Sequence, residues 1–210
     1  MYTLKHYLLV AVMTLVLIGT GIVFLREMNH EFLIYVVVVV ALGSIIAATH
    51  PKVRYPFPVL VALTVWGIFH LFGGAIKVNG DVLYGLILFP ISDEYSILRY
   101  DQVVHAWGFG TATLVMYVLI ANLISPKDRN GFSVAILVIM SGIGLGALNE
   151  TVEFVLTVIL PKTGVGGYIN TSLDLCSNLV GAIIAYILVR TGFVDMEKQE
   201  ERAMPRQINK

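Results

Sequence analysis

The sequence predicts an all-α, polytopic membrane protein: a helical bundle of about six transmembrane helices, with an interfacial or re-entrant segment in the loop 77–99. Three observations predict it. Of the 210 residues, 57% are hydrophobic and only 13% charged, whereas soluble domains carry about 25% charged residues. Six stretches reach the ~20 apolar residues that a helix needs to cross a bilayer. Turn and charge signals fall between those stretches.

The spans are expected near 4–25, 31–49, 56–76, 100–124, 132–160 and 172–191. Together they make a single integral membrane domain over 1–191, followed by a cytoplasmic polar tail over 192–210. The first apolar run, Tyr7 to Leu25, is longer than a signal-peptide core of roughly 7–15 residues and is followed by no small-x-small cleavage site. Arg26, Glu27 and Asn29 come next, so it reads as a retained span. Pro51, Lys52, Arg54 and Pro56 separate the second and third spans. Pro126 to Asn130 separate the fourth and fifth, and Pro161 to Gly167 the fifth and sixth. The apolar run Val82 to Pro90 is too short to span, and Asp81, Asp93 and Glu94 flank it.

Loop charge sets the orientation. Lys5, Lys52, Arg54, Lys127, Arg129, Arg190, Lys198, Arg202, Arg206 and Lys210 fall on one side, and Arg26, Lys77, Arg99 and Lys162 on the other. By the positive-inside rule both termini lie in the cytoplasm, so a multi-pass protein of the plasma (inner) membrane is expected. The overall balance, 14 basic against 14 acidic residues, suggests no nucleic-acid partner. Membrane lipid is the expected partner, and a homodimer is left open. Cys176 is the only cysteine, which excludes an intrachain disulfide and a Cys-x-x-Cys site.

With that orientation, His70, Asp101, His105, Glu150, Glu153 and Asp174 all lie toward the outer end of their spans, and the inner halves hold no comparable set. Ionisable groups inside a membrane are costly and mark functional sites. Asp101 and His105 are four apart and share a helix face. Such a pair can bind a metal, can set an imidazole tautomer in a proton relay, or can merely fix helix packing. Glu150 and Glu153 also share a face, beside Asn149, and two close carboxylates need a shared proton, a cation or an arginine. Gly142, Gly144 and Gly146 before them, and Gly181-Ala182 after Asp174 and Asn178, permit close helix approach. Tyr168, Asn170 and Thr171 read as an N-terminal cap and, with Arg99 and Asn178, as substrate contacts. Trp66, Tyr100 and Trp107 read as interface aromatics.

The metal ligands expected are Asp101, His105, Glu150 and Asp174, with His70 a weaker candidate. Glu150, Glu153 and His105 are the candidates for acid–base catalysis. His70 and Glu153 are the members expected to fall outside the cluster. Mixed carboxylate and imidazole donors suit a divalent metal such as Zn, Mn or Fe. No HExxH, GxSxG or Gly-rich phosphate loop is present.

Three stretches together resemble the YjdF-like family of prokaryotic inner-membrane proteins: Arg99-Tyr100-Asp101-Gln102-Val103-Val104-His105, Asn149-Glu150-Thr151-Val152-Glu153, and Asn170 to Asp174 with Asn178-Leu179-Val180-Gly181-Ala182. The likeness covers about residues 66–190, and the first two spans read as an addition. A weaker similarity extends to VanZ-like membrane proteins, which share the Asp-x-x-x-His helix start and a later Asp followed by Asn and Gly-Ala. Several YjdF-like members carry a carboxylate where this chain has Asn170. The resemblance implies a compact helical membrane fold and brings no activity with it.

The functional expectation is therefore a polar, metal-capable site opening to the outer face and acting on, or binding, a lipid-linked or envelope substrate. A small transporter or proton-coupled carrier is the first alternative, and a non-catalytic membrane accessory protein the second. The orientation has a direct test. A membrane-impermeant thiol reagent should label Lys77→Cys from outside and leave Lys198→Cys untouched until the membrane is opened. Outside labelling at position 198 would overturn the orientation.

Overall fold

A computed structural model describes residues 2–92, 94–161 and 163–194. Asp93, Lys162 and most of the tail, 195–210, lie outside the described residues. Six helices follow in chain order: α1 (Leu4–Arg26), α2 (His30–Val53), α3 (Phe57–Ala75), α4 (Tyr100–Ala121), α5 (Phe132–Ile159) and α6 (Tyr168–Arg190). All six are long and apolar enough to cross a membrane. A helix is the form in which an isolated apolar segment satisfies every backbone N–H and C=O internally, as hydrocarbon requires. Leu15, Val37, Phe154 and Ile184 lie exposed on the helix surfaces, as lipid-facing residues do.

The helix boundaries differ from the sequence reading at two places that matter. α2 continues through Pro51 into its last turn and stops where Arg54 turns left-handed (φ 57°). The Ala47 carbonyl, which Pro51 has no N–H to reach, accepts from the Tyr2 hydroxyl instead. α6 starts at Tyr168, four residues earlier than expected, with Gly167 as its N-cap. Asn170 and Thr171 are thus inside the first turn, and Asn170 is free to use its amide for something other than capping.

The 77–99 loop contains no span. Lys77–Val78 (β1) pairs antiparallel with Asp81–Val82 (β2) around Asn79-Gly80, both with positive φ, as a tight hairpin demands. A single 3₁₀ turn, Leu83–Gly85, follows. Ile87 then bridges to Arg99, which leads into α4. Val194 is buried against the bundle just after the left-handed Gly192, so the chain past α6 folds back before the tail proper begins.

α4 is the central helix, packed against α3, α5 and, most extensively, α6. Apolar burial gives little driving force between helices in lipid, so their association depends on close packing. The α4–α6 contact is backbone on backbone. A Cβ on Gly181 would run into the Ala106 carbonyl oxygen, and one on Gly110 would meet the Gly181 carbonyl oxygen at 2.9 Å. On α5, Gly146 makes room for the Asn178 side chain, and Gly142 for Thr113. Gly144 faces open space and takes no part, contrary to the expectation for that glycine run.

Two apolar clusters lie at opposite ends. Val59, Leu114, Val118, Val138 and Val189 fill the bundle at the end of the α2–α3 and α4–α5 connections. Phe24, Phe32, Tyr35, Leu71 and Leu156 pack at the other end. The seam gives a paired prediction. Gly181→Ala should destabilise the detergent-solubilised protein by about 1–3 kcal/mol through overpacking. Gly144→Ala should leave stability equal or raise it by up to about 1 kcal/mol, since alanine is the better helix former. Thermal melting checks both, and equal effects would refute the seam.

Candidate functional site

The end of the bundle that carries the α1–α2, α3–α4 and α5–α6 connections also carries the ionisable groups. His105, on α4, is their hub. Its side chain is 7% exposed and sits one turn after Asp101, whose Oδ1 lies 3.5 Å from His105 Nε2. Glu153 on α5 reaches the same nitrogen at 4.0 Å. On the other side of the ring, Nδ1 lies 3.1 Å from Asn178 Oδ1 and 3.5 Å from Glu150 Oε1. Each nitrogen therefore faces acceptors from two residues. In the tautomer with its proton on Nδ1, the ring donates to the Asn178 carbonyl oxygen and keeps a free lone pair on Nε2. Nε2 then turns toward Asp101 and Glu153, where either a second proton or a cation fits.

α6 completes the cluster. Asp174 and Asn178 are fully buried. The Asn170 amide nitrogen donates to Asp174 Oδ2 at 2.5 Å and to Asp101 Oδ2 at 3.4 Å, holding one oxygen of each carboxylate. Asp174 Oδ1 and both oxygens of Glu150 are buried and without a hydrogen-bond partner. A buried ionised carboxylate without compensation costs several kcal/mol, so these oxygens call for a proton or a cation. Two sets of ligand atoms lie within 4.8 Å of one another: Asp101, His105 and Asp174, and His105, Glu150 and Glu153. Both could hold a metal ion.

A cavity of ≈ 170 Å³ opens beside the hub. Its polar wall includes Arg99, Asp101, His105, Glu153 and Asn170. Its lining also includes the aromatic rings of Tyr35, Trp66, Tyr84 and Phe109. Glu150, Asp174 and Asn178 lie behind the polar wall rather than in it.

The predicted residues sort as follows. Asp101, His105, Glu150, Glu153 and Asp174 come together, and Glu153, expected to fall outside, is inside. Asn149 holds it, donating to Glu153 Oε1 at 2.8 Å. His70 lines the cavity but faces Tyr84, whose hydroxyl lies 2.5 Å from His70 Nδ1. Burial, and then the nearby Asp101, push the Tyr84 phenol well above its usual range, so it stays a neutral hydroxyl. Arg99 and Asn170 line the cavity. Asn178 contacts His105 instead of open space, and Tyr168 is 86% exposed, away from the cavity. Trp66 is no simple interface aromatic: its ring stacks on His70 with centroids 5.4 Å apart.

Three contributors were not singled out from the sequence. Glu31 and Tyr35 on α2 line the cavity, and Glu31 Oε2 accepts from the Gly164 N–H at 2.7 Å, tying the α5–α6 loop to α2. Tyr84 comes from the hairpin loop. Glu31 lies at the same end of its span as the other acids, which was the available signal. At the opposite end His6 and His50 come within 5.1 Å, ring centre to ring centre, beside Tyr2 and Tyr55. Among the described residues no carboxylate joins them in a three-ligand set.

Fold and site together define a polytopic helical membrane protein with a buried carboxylate–imidazole cluster at one end of the bundle. The chain belongs to the family described as predicted membrane protein (DUF2238), whose model matches residues 5–193. That extent includes α1 and α2, so the first two spans are not an addition. No curated protein and no solved structure matches the chain.

The hub role is testable by truncation. His105→Ala leaves facing carboxylates with nothing between them, and a buried polar group left without its partner costs about 1–3 kcal/mol. A clear drop in melting temperature is expected. Wild-type melting in that variant would show that the imidazole does not hold the cluster together.

Proposed function

We propose that the cluster is a divalent-cation site at the outer face of the plasma membrane, and that the protein binds or acts on a lipid-linked or envelope substrate there. The observation that carries this reading is the division of labour at Asn170. Its amide occupies Oδ2 of both aspartates, which leaves Asp101 Oδ1 beside His105 Nε2 and Asp174 Oδ1 buried without a hydrogen-bond partner, with one ligand atom from each of the three residues within 4.8 Å of the others. Asp101, His105 and Asp174 then serve as the ligands. Asn178 accepts the Nδ1 proton and fixes the ring, with a Glu150 oxygen 3.5 Å from the same nitrogen, the usual outer-shell arrangement behind a metal-bound histidine. This moves Glu150 from ligand to support.

A bound divalent cation supplies Lewis acidity and charge neutralisation at the polar wall. Glu153 lines the cavity close to His105, and its carboxylate can take up or give a proton there. Zn, Mn and Fe remain the fitting metals.

A carrier is the weaker reading. Val59, Leu114, Val118, Val138 and Val189 pack together in the opposite half of the bundle, and among the described residues no carboxylate–imidazole set matches the cluster there. A homodimer could supply a polar route. The outer-face placement rests on loop charge, ten Lys and Arg against four. The motifs around Asp101, Glu150 and Asp174 also support kinship with the YjdF-like and VanZ-like families.

Purified wild-type protein should bind about one divalent ion per chain, and chelation should lower its melting temperature, because a ligand of the folded state stabilises it by mass action. Asp101→Asn and Asp174→Asn should lower bound metal. Glu150→Gln should weaken binding less, by roughly 10–100-fold, as outer-shell changes do. Wild-type protein without stoichiometric metal, and with melting indifferent to chelator and added divalents, would sink the metal reading and leave a proton relay in its place.

A further inference from the structure

Arg99 is out of keeping with its surroundings. Glu31, Asp101 and Glu153 line the same cavity, and Glu150 and Asp174 lie just behind. Among the described residues lining the cavity, Arg99 is the only permanent cation. Yet it forms no ion pair within 4.0 Å with any carboxylate of the described residues. Its Nη1 makes one long contact, 3.5 Å to Asn170 Oδ1, and its Nε is buried without a hydrogen-bond partner. An arginine has five N–H donors in a planar fork. Leaving them unpaired next to so many acids is costly unless another acceptor takes them.

The backbone holds Arg99 there deliberately. Leu98 is left-handed (φ 68°), a conformation that costs a non-glycine residue roughly 1–2 kcal/mol. Gln102 Oε1 offsets this by accepting from the N–H groups of both Leu98 (2.6 Å) and Arg99 (3.3 Å). The Tyr100 N–H donates to the Leu86 carbonyl at 2.9 Å, anchoring the helix start to the hairpin loop. This corner fixes the point from which the Arg99 side chain reaches the cavity.

The Asn170 carboxamide connects the two halves of the site. Its oxygen faces Arg99 and its nitrogen faces Asp101 and Asp174. An anion beside Asn170 would lie between the guanidinium and the cation site. We infer that this anion is a phosphate group, most simply the phosphomonoester headgroup of a lipid. One oxygen would meet the cation and two others the Arg99 fork, an arrangement for which a carboxylate has too few oxygens. The aromatic rings of Tyr35, Trp66, Tyr84 and Phe109 would take the apolar remainder. This inference rests on the metal reading above, because without the cation the surrounding acids repel phosphate.

The test uses full-length protein in maltoside detergent, loaded with Mn²⁺ and titrated with inorganic phosphate or with short-chain phosphatidate. Both should raise the melting temperature of wild type in the presence of Mn²⁺ and neither in its absence. Arg99→Gln should keep its bound Mn²⁺ and lose about tenfold or more in affinity for the anion, the order expected for a charge-assisted hydrogen bond. Arg99→Lys, which keeps the charge without the fork, should fall between and guards against a misfolded glutamine variant. Phosphatidate far stronger than phosphate identifies a lipid headgroup, and equal strength identifies free phosphate. Mn²⁺ bound with no response to either anion, or Arg99→Gln matching wild type, overturns this inference alone. No bound Mn²⁺ overturns the metal reading and this one with it.

Discussion

The cost of a charge in hydrocarbon governs the design of this protein. Most of the bundle meets that cost by having no charges to place. One end departs from this rule, and everything there is arranged to make the departure affordable. Four carboxylates from three helices gather about one imidazole, Asn170 bridges two of them, Asn178 meets the imidazole, and Asn149 holds Glu153. Each polar side chain has a neighbour that would be worse off without it. Helix packing serves the same end, since the smallest residues lie where α4 and α6 must bring their acids together.

The arrangement is asymmetric in a useful way. His105 turns one nitrogen to groups buried behind the wall and the other toward groups that line the cavity. Asn170 does the same with its two ends, one toward the aspartates and one toward Arg99. These two side chains translate between a closed interior and an open cavity. The aromatic rings of the lining offer faces and edges instead of charges, so a molecule entering meets two unlike kinds of surface.

Much of this was legible in the sequence. Length and composition of the apolar runs gave six helices, because hydrocarbon leaves a chain few other options. Helical spacing gave the shared faces of Asp101 with His105, Glu150 with Glu153, and Asp174 with Asn178. The orientation of each span then brought those faces to one end. What spacing could not reveal was azimuth, the direction in which each face turns within the bundle. Glu153 was expected outside for that reason, and Glu31 was not singled out. Loop contributors were hidden more deeply. Tyr84 reaches His70 only because a hairpin closes over α3, and no periodicity announces a hairpin contact. The early start of α6 was missed because Tyr168 to Thr171 is too polar to read as membrane helix, although Asn170 proves central to the cluster.

The bare seam between α4 and α6 has a consequence for how this site can change. Where two helices meet through side chains, a substitution alters the spacing and neighbours relax by repacking. Here backbone meets backbone directly, so the separation between α4 and α6 is set by the contact of the main chains themselves and not by side-chain packing. Lipid-facing residues can drift without moving the site, and bilayer thickness can vary while α4 and α6 tilt as one body. Such a pair works as a fixed gauge. A change of ligand set would have to come from exchanging the side chains it carries, because the distance between them is not available for adjustment.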